Sequence, residues 1–138
     1  MESFVFEYPT KVYFGQGAAK QYLCKELEQY GNTVLLAYGG GSIKRNGVYE
    51  EIFNILREAG KTVVEFSGIM PNPTYAKVQE GAELARNHGV DLILAVGGGS
   101  VIDCCKIAAL QAKTNEDVWE AELIEKRFPK CSPIPLGA

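Results

Sequence analysis

Two runs of three glycines closed by a serine carry the chain's clearest chemical signal: Gly39-Gly40-Gly41-Ser42 and Gly97-Gly98-Gly99-Ser100. The second run follows an apolar stretch at 91–96 and opens a helix-like stretch that continues through Ala112. Without Cβ atoms, successive glycines let backbone N–H groups come close to an anion. A helix starting there adds further free N–H groups and the positive end of its dipole. In an open α/β sheet such a loop lies at the carboxyl ends of the strands, where ligands bind. A diphosphate is the natural guest. Ser100 and Asp103 also fit the S-x-x-D/E spacing of a capping box, which needs no ligand. A cap alone would not call for three glycines, each costly in chain entropy.

Asp103 and Lys106 lie three residues apart on the same helix, hence on neighbouring faces. Two readings stand side by side. One is a weak surface ion pair, worth about 0.3 kcal/mol. The other places Asp103 near the reactive end of a dinucleotide and Lys106 on a ribose hydroxyl. The first glycine run closes an earlier strand, where a dinucleotide fold usually offers an acidic residue to the adenosine ribose 2′-hydroxyl. No acid stands in this loop. Gly40 and Ser42 offer little bulk and one hydroxyl, and Lys44-Arg45 follow. A carboxylate would repel a 2′-phosphate, whereas this loop accepts one. Read without a ligand, it is a turn followed by solvated basic residues.

Other patterns carry less. Gly15-Gln16-Gly17 begins a G-x-G fingerprint, but Lys20 stands where the third glycine belongs, so it reads as a turn. His88 is the one histidine, placed at a helix C-terminus where it serves carbonyls and the dipole. One histidine makes no metal site. No G-x-S-x-G and no P-loop is present, which leaves hydrolase and NTPase readings without support.

The elements that must position these loops follow from periodicity. Residues 33–38 are nearly all apolar, as in a strand of a parallel sheet buried on both faces. Residues 62–66 and 91–96 read as two more strands. Helices are expected over 18–30, ending at Gly31, and from Val48 through Ile52, Ile55, Leu56 and Ala59, with Gly60 as the stop. A third, capped by Thr74, has Tyr75, Val78, Ala82 and Ala85 on one face. A fourth follows Ser100. Runs 4–7 and 11–14 suggest an opening extended pair, and 117–127 a last helix with Trp119 and Leu123 inward. The end, through Leu136-Gly137-Ala138, resembles the approach to another strand and a truncation rather than a natural finish. Strands alternating with helices imply βαβ units and a parallel, Rossmann-like α/β sheet.

Composition bounds the rest. A chain of 138 residues fits one domain, with 46% hydrophobic and 22% charged residues, ordinary for a globular protein. A net charge of −3 and no long basic run argue against a nucleic-acid partner. The apolar stretches are strand-sized, far short of a membrane span, and no signal peptide is visible. A cytoplasmic protein is expected, with Cys24, Cys104, Cys105 and Cys131 as reduced thiols.

The run Gly97-Gly98-Gly99-Ser100-Val101-Ile102-Asp103-Cys104-Cys105-Lys106 resembles the GGGSxxDxxK cofactor loop of the iron-containing (group III) alcohol dehydrogenases. Three further segments are similar to that family: 9–17, Tyr38-Gly39-Gly40-Gly41-Ser42-Ile43-Lys44 and Pro71-Asn72-Pro73-Thr74. They narrow the resemblance to its butanol dehydrogenase-like branch. It implies the N-terminal dinucleotide-binding domain of the dehydroquinate synthase-like fold, incomplete at its C-terminus. It also implies an NAD(P)-dependent enzyme that interconverts alcohols with aldehydes or ketones, and a homodimer. By resemblance, Gly98, Gly99 and Ser100 cradle the pyrophosphate while Gly97 shapes the turn. Asp103 lies by the nicotinamide and Lys106 by its ribose. Gly40 and Ser42 face a 2′-phosphate, favouring NADP with NAD possible, and Asn72 meets the adenosine ribose. The family's iron or zinc is held by an Asp and three His from its helical metal-binding domain, for which these residues offer no match. This chain alone is therefore expected to be inactive. A sister such as glycerol dehydrogenase or dehydroquinate synthase fits the 39–42 and 71–73 loops less well. A non-catalytic nucleotide-binding fragment is the remaining alternative.

Overall fold

The computed structural model describes residues 10–118, 120, 121, 125, 126 and 131–138. Four parallel strands form one sheet: β1 (Thr33–Tyr38), β2 (Thr62–Phe66), β3 (Leu92–Val96) and β4 (Leu136–Gly137), in the order β2-β1-β3-β4. Central β1 is buried at every position from Val34 to Tyr38, as its unbroken apolar run predicts. Its side chains alternate between two cores. Leu35 and Ala37 face the layer of α4 (Tyr75–Asn87) and α5 (Gly99–Gln111), while Val34, Leu36 and Tyr38 face α1 (Cys24–Leu27) and α3 (Val48–Glu58). The product is a helix–sheet–helix sandwich. No helix among the described residues is long and apolar enough to cross a membrane.

This strand order fixes where a ligand belongs. From β1 the chain moves outward to β2, then returns across β1 to β3 on the other side. The direction of winding therefore reverses between β1 and β3, and a crevice opens outside their carboxyl ends. Tyr38 and Val96, the last residues of those strands, are register partners. Each glycine run starts at the very next residue. The short β4 pairs in parallel with β3 through Ile93 and Leu94, so the apolar end of the chain is a strand as expected.

The elements follow their predicted positions, with four departures. The first begins as a π-helical turn, Ala19–Leu23, and passes into α1, which stops at Leu27 rather than Tyr30. The N–H groups of Glu28, Gln29 and Tyr30 each bond three residues back, tightening the last turn out of α-geometry. A one-turn helix not foreseen from the sequence, α2 (Ser42–Arg45), follows Gly41. Tyr75 is 41% exposed, because a first-turn side chain leans back over the preceding loop and away from the core. Residues 11–14 form no strand: Phe14 is 99% exposed, and Lys11 and Tyr13 both bond Glu26 on α1 instead. The expected partner at 4–7, like Trp119 and Leu123, lies outside the described residues. Thr74 caps α4 as predicted, its hydroxyl accepting the Lys77 N–H at 3.2 Å.

Candidate functional site

The loop after β3 is shaped by one strained residue and opened by the two behind it. Gly97 has φ 150°, and a Cβ built on it would meet Val101 Cγ2 at 2.9 Å. Only glycine suits that turn. Gly98 is the N-cap of α5, with no side chain bonded across the cap. Its carbonyl accepts the N–H groups of Val101 and Ile102, each at 3.2 Å. The N–H groups of Gly99 and Ser100, in the first turn, have no partner within the helix. A Cβ on Gly98 or Gly99 would touch nothing within 4 Å. Bare backbone donors, open space and the end of a 13-residue helix thus coincide at the crevice. A diphosphate fits this cradle.

This geometry corrects the capping-box reading. Ser100 is the second residue of the helix, not its cap, because the chain turns helical at Gly99. Its spacing to Asp103 therefore caps nothing. The surface-pair reading of Asp103 and Lys106 is not realised either: both are exposed, and the ion pairs among the described residues are Lys11–Glu26 and Lys77–Glu80.

The loop after β1 meets the same crevice. A Cβ on Gly39 would lie 3.0 Å from the Ile69 carbonyl oxygen and 4.0 Å from Val101 Cγ2, so the Val101 side chain packs between the two glycine runs. The loop from β2 to α4 is tied in by Gly68 N–H to the Gly39 carbonyl at 2.9 Å and Ile69 N–H to the Tyr38 carbonyl at 3.3 Å. Asn72 sits exposed in that loop at φ 52°, a conformation asparagine tolerates. Gly40 and Ser42 are exposed, and a Cβ on Gly40 would meet nothing. The Arg45 Nη1 lies 3.0 Å from where a Gly41 Cβ would be, folding its guanidinium over the loop. The structure thus gathers Gly39–Ser42, Gly97–Ser100 and the Asn72 loop at one edge of the sheet.

A cluster beside the first loop escaped sequence reasoning. Tyr38 donates its hydroxyl to Glu65 Oε1 at 3.1 Å, and Tyr49 donates to the same oxygen. Burial first, and the Glu65 bond second, push the Tyr49 phenol well above its usual pKa, so it stays a donor. Lys44 Nζ stands 4.7 Å from the Tyr49 ring centroid and 5.5 Å from that of Tyr38. The available signal was Glu65 itself, a charge beside the apolar Val63, Val64 and Phe66 of its strand.

The remaining polar features are structural. His88 sets Nδ1 3.0 Å from the Leu84 carbonyl oxygen, as its helix-terminal position predicts. A cavity between Arg86, Asp91 and Lys113 lies beside the start of β3, at the sheet edge opposite the glycine loops. Arg86 is engaged there, donating to the Gln111 carbonyl at 2.8 Å. Burial raises both thiols of α5, Cys105 to about 12, which makes them poor nucleophiles. Among the described residues no group of three His, Cys, Asp or Glu could hold a metal ion.

The family model for iron-containing alcohol dehydrogenase matches residues 9–138. The chain is 48% identical over 137 residues to the probable NADH-dependent butanol dehydrogenase 2 of Bacillus subtilis, covering 99% of this chain and 34% of that one. It is 36% identical to the NADPH-dependent aldehyde reductase YqhD of Escherichia coli, covering 99% of this chain and 35% of that one. The crystal structure of NADH-dependent butanol dehydrogenase A from Thermotoga maritima superposes with a TM-score of 0.89 at 40% identity, covering 99% of this chain and 34% of that one. The chain thus spans about a third of the length of the relatives it matches.

Proposed function

The chain belongs to the iron-containing alcohol dehydrogenase family, and from that premise we propose that it is the nicotinamide-dinucleotide-binding part of an alcohol dehydrogenase or aldehyde reductase. One observation carries the proposal: the uncapped start of α5, with open space over Gly98 and Gly99 at the β1/β3 crevice. In this reading Gly98, Gly99 and Ser100 hold the diphosphate through backbone N–H groups, and Gly97 sets the turn. Asp103 and Lys106, one and two turns further along α5, serve the nicotinamide and its ribose. Asn72 serves the adenosine ribose. The bound cofactor supplies or accepts the hydride that interconverts an alcohol with its aldehyde or ketone. This chain's residues bind and orient it. No described residues match the family's metal ligands, which this proposal places elsewhere, so these residues bind the cofactor without turning it over.

The site favours NADP in this proposal, because Gly40 and Ser42 leave room beside Arg45 where an acidic residue would repel a 2′-phosphate. The second reading is NAD, favoured by the cofactor in the names of the Bacillus subtilis and Thermotoga maritima relatives. Isothermal calorimetry of the chain with NADP and NAD in parallel separates them. Tighter NADP supports the first reading, tighter NAD replaces it with the second, and binding of neither overturns the site. Steady alcohol-dependent reduction of NADP by the purified chain would contradict the assignment of the metal ligands elsewhere.

A further inference from the structure

We propose that Tyr38, Tyr49 and Glu65 form a platform that holds Lys44 as the charge selecting a 2′-phosphate over a free 2′-hydroxyl. The inference rests on the dinucleotide reading above and goes beyond the loop residues Gly40 and Ser42.

Four elements bring the cluster together at the edge where the first glycine loop begins. Tyr38 ends β1 and immediately precedes Gly39. Glu65 sits on β2 in register with Leu36, two residues before Tyr38, so both project to the α3 side of the sheet. Tyr49 lies in the first turn of α3, its ring edge-on to that of Tyr38 with centroids 5.3 Å apart. Phe53 stacks behind Tyr49 at 5.8 Å and fixes the ring from the far side. Both phenol hydroxyls converge on one oxygen of Glu65, so each ring has its tilt set at the hydroxyl end.

Lys44 completes the arrangement. Its ammonium stands over both ring faces, where the aromatic quadrupole attracts a cation. Hydroxyls that donate to a carboxylate leave their rings richer in electron density, which strengthens that attraction. The manner of holding matters as much as the fact. A lysine fixed by an ion pair spends its N–H donors on the carboxylate. Lys44 is in neither of the ion pairs found among the described residues, so its donors stay available to an incoming anion. The platform therefore places a positive charge without neutralising it, two residues from Ser42.

The test isolates the adenosine end by comparing 2′,5′-ADP with 5′-ADP, titrated calorimetrically into the full chain. Wild type is expected to prefer 2′,5′-ADP. Lys44→Gln should lower that preference about tenfold, the scale of one hydrogen bond to a charged group, and Lys44→Arg should restore most of it. Tyr49→Phe keeps the ring but cuts its tie to Glu65, and should lower the preference about twofold to threefold, within the range of a weakened cation–π contact. Tyr49→Leu removes the ring face and should approach Lys44→Gln. A preference unchanged in Lys44→Gln, with both nucleotides still bound, overturns the platform and leaves the dinucleotide site standing. Wild-type chain that binds neither nucleotide removes the dinucleotide reading and the platform with it. Lys44 is exposed, so its variants are expected to fold, which keeps the comparison decisive if Tyr49→Leu does not.

Discussion

The two glycine runs have the same four letters and opposite designs. After β3 the run opens a 13-residue helix, and what it offers an anion is backbone: uncapped N–H groups and a dipole end over open space. After β1 the run opens a single turn of four residues, too short to develop much of a dipole. What that loop offers is side chain, with Arg45 folded over Gly41 and Lys44 held on two tyrosine rings. A glycine run states only that backbone comes close to something. The residues that follow it decide whether amides or cations do the binding.

The contrast is broken most severely at Gly98. Its φ of −90° and ψ of −167° are extended backbone that any residue adopts, and a Cβ there meets no protein atom. Gly98→Val should cost dinucleotide affinity about a hundredfold, while stability in urea unfolding falls by no more than about 1 kcal/mol, the scale of a poorer N-cap. Loss of fold with loss of binding would mean that the open space is structural, not a ligand's place.

Gly97 inverts that pattern. At φ 150°, with Val101 in the way, Gly97→Ala should destabilise the chain by about 2 kcal/mol in urea unfolding. A neutral result would show that the turn is not strained.

In the other loop Gly40→Asp should lower NADP affinity relative to NAD by about tenfold, through repulsion between carboxylate and 2′-phosphate. An unchanged ratio would remove the first run from cofactor selection. The smallest contrast is between helix starts. Thr74→Ala should cost about 1 kcal/mol because its hydroxyl caps α4. Ser100→Ala should cost less than about 0.5 kcal/mol, because Ser100 caps nothing. Equal losses would revive the capping box.

Much of this was legible in the residues. An all-apolar run such as 33–38 has few homes besides the middle of a parallel sheet, and glycines after two such runs mark the ends where ligands bind. Thr74 announced a cap because a hydroxyl stood one residue ahead of a helical pattern. Three things were not legible. Residues 11–14 are β-like in composition, but pairing needs a neighbour that local pattern does not supply, and Lys11 and Tyr13 bond Glu26 instead. Ser100 matched a capping box by spacing, yet spacing does not say at which glycine the helix begins. Glu65 is a charge beside Val63, Val64 and Phe66 in its strand, but its partners come from α3 and β1, 16 and 27 residues earlier in the chain. That meeting is a property of the fold.

The central claim is that the backbone after β3 holds a dinucleotide's diphosphate, and amide NMR of the chain titrated with NADP tests it most directly. The account predicts that the N–H signals of Gly98, Gly99 and Ser100 shift most and gain protection from exchange, with the Gly39–Ser42 amides following more weakly. Saturable binding that leaves those three amides unmoved would contradict it.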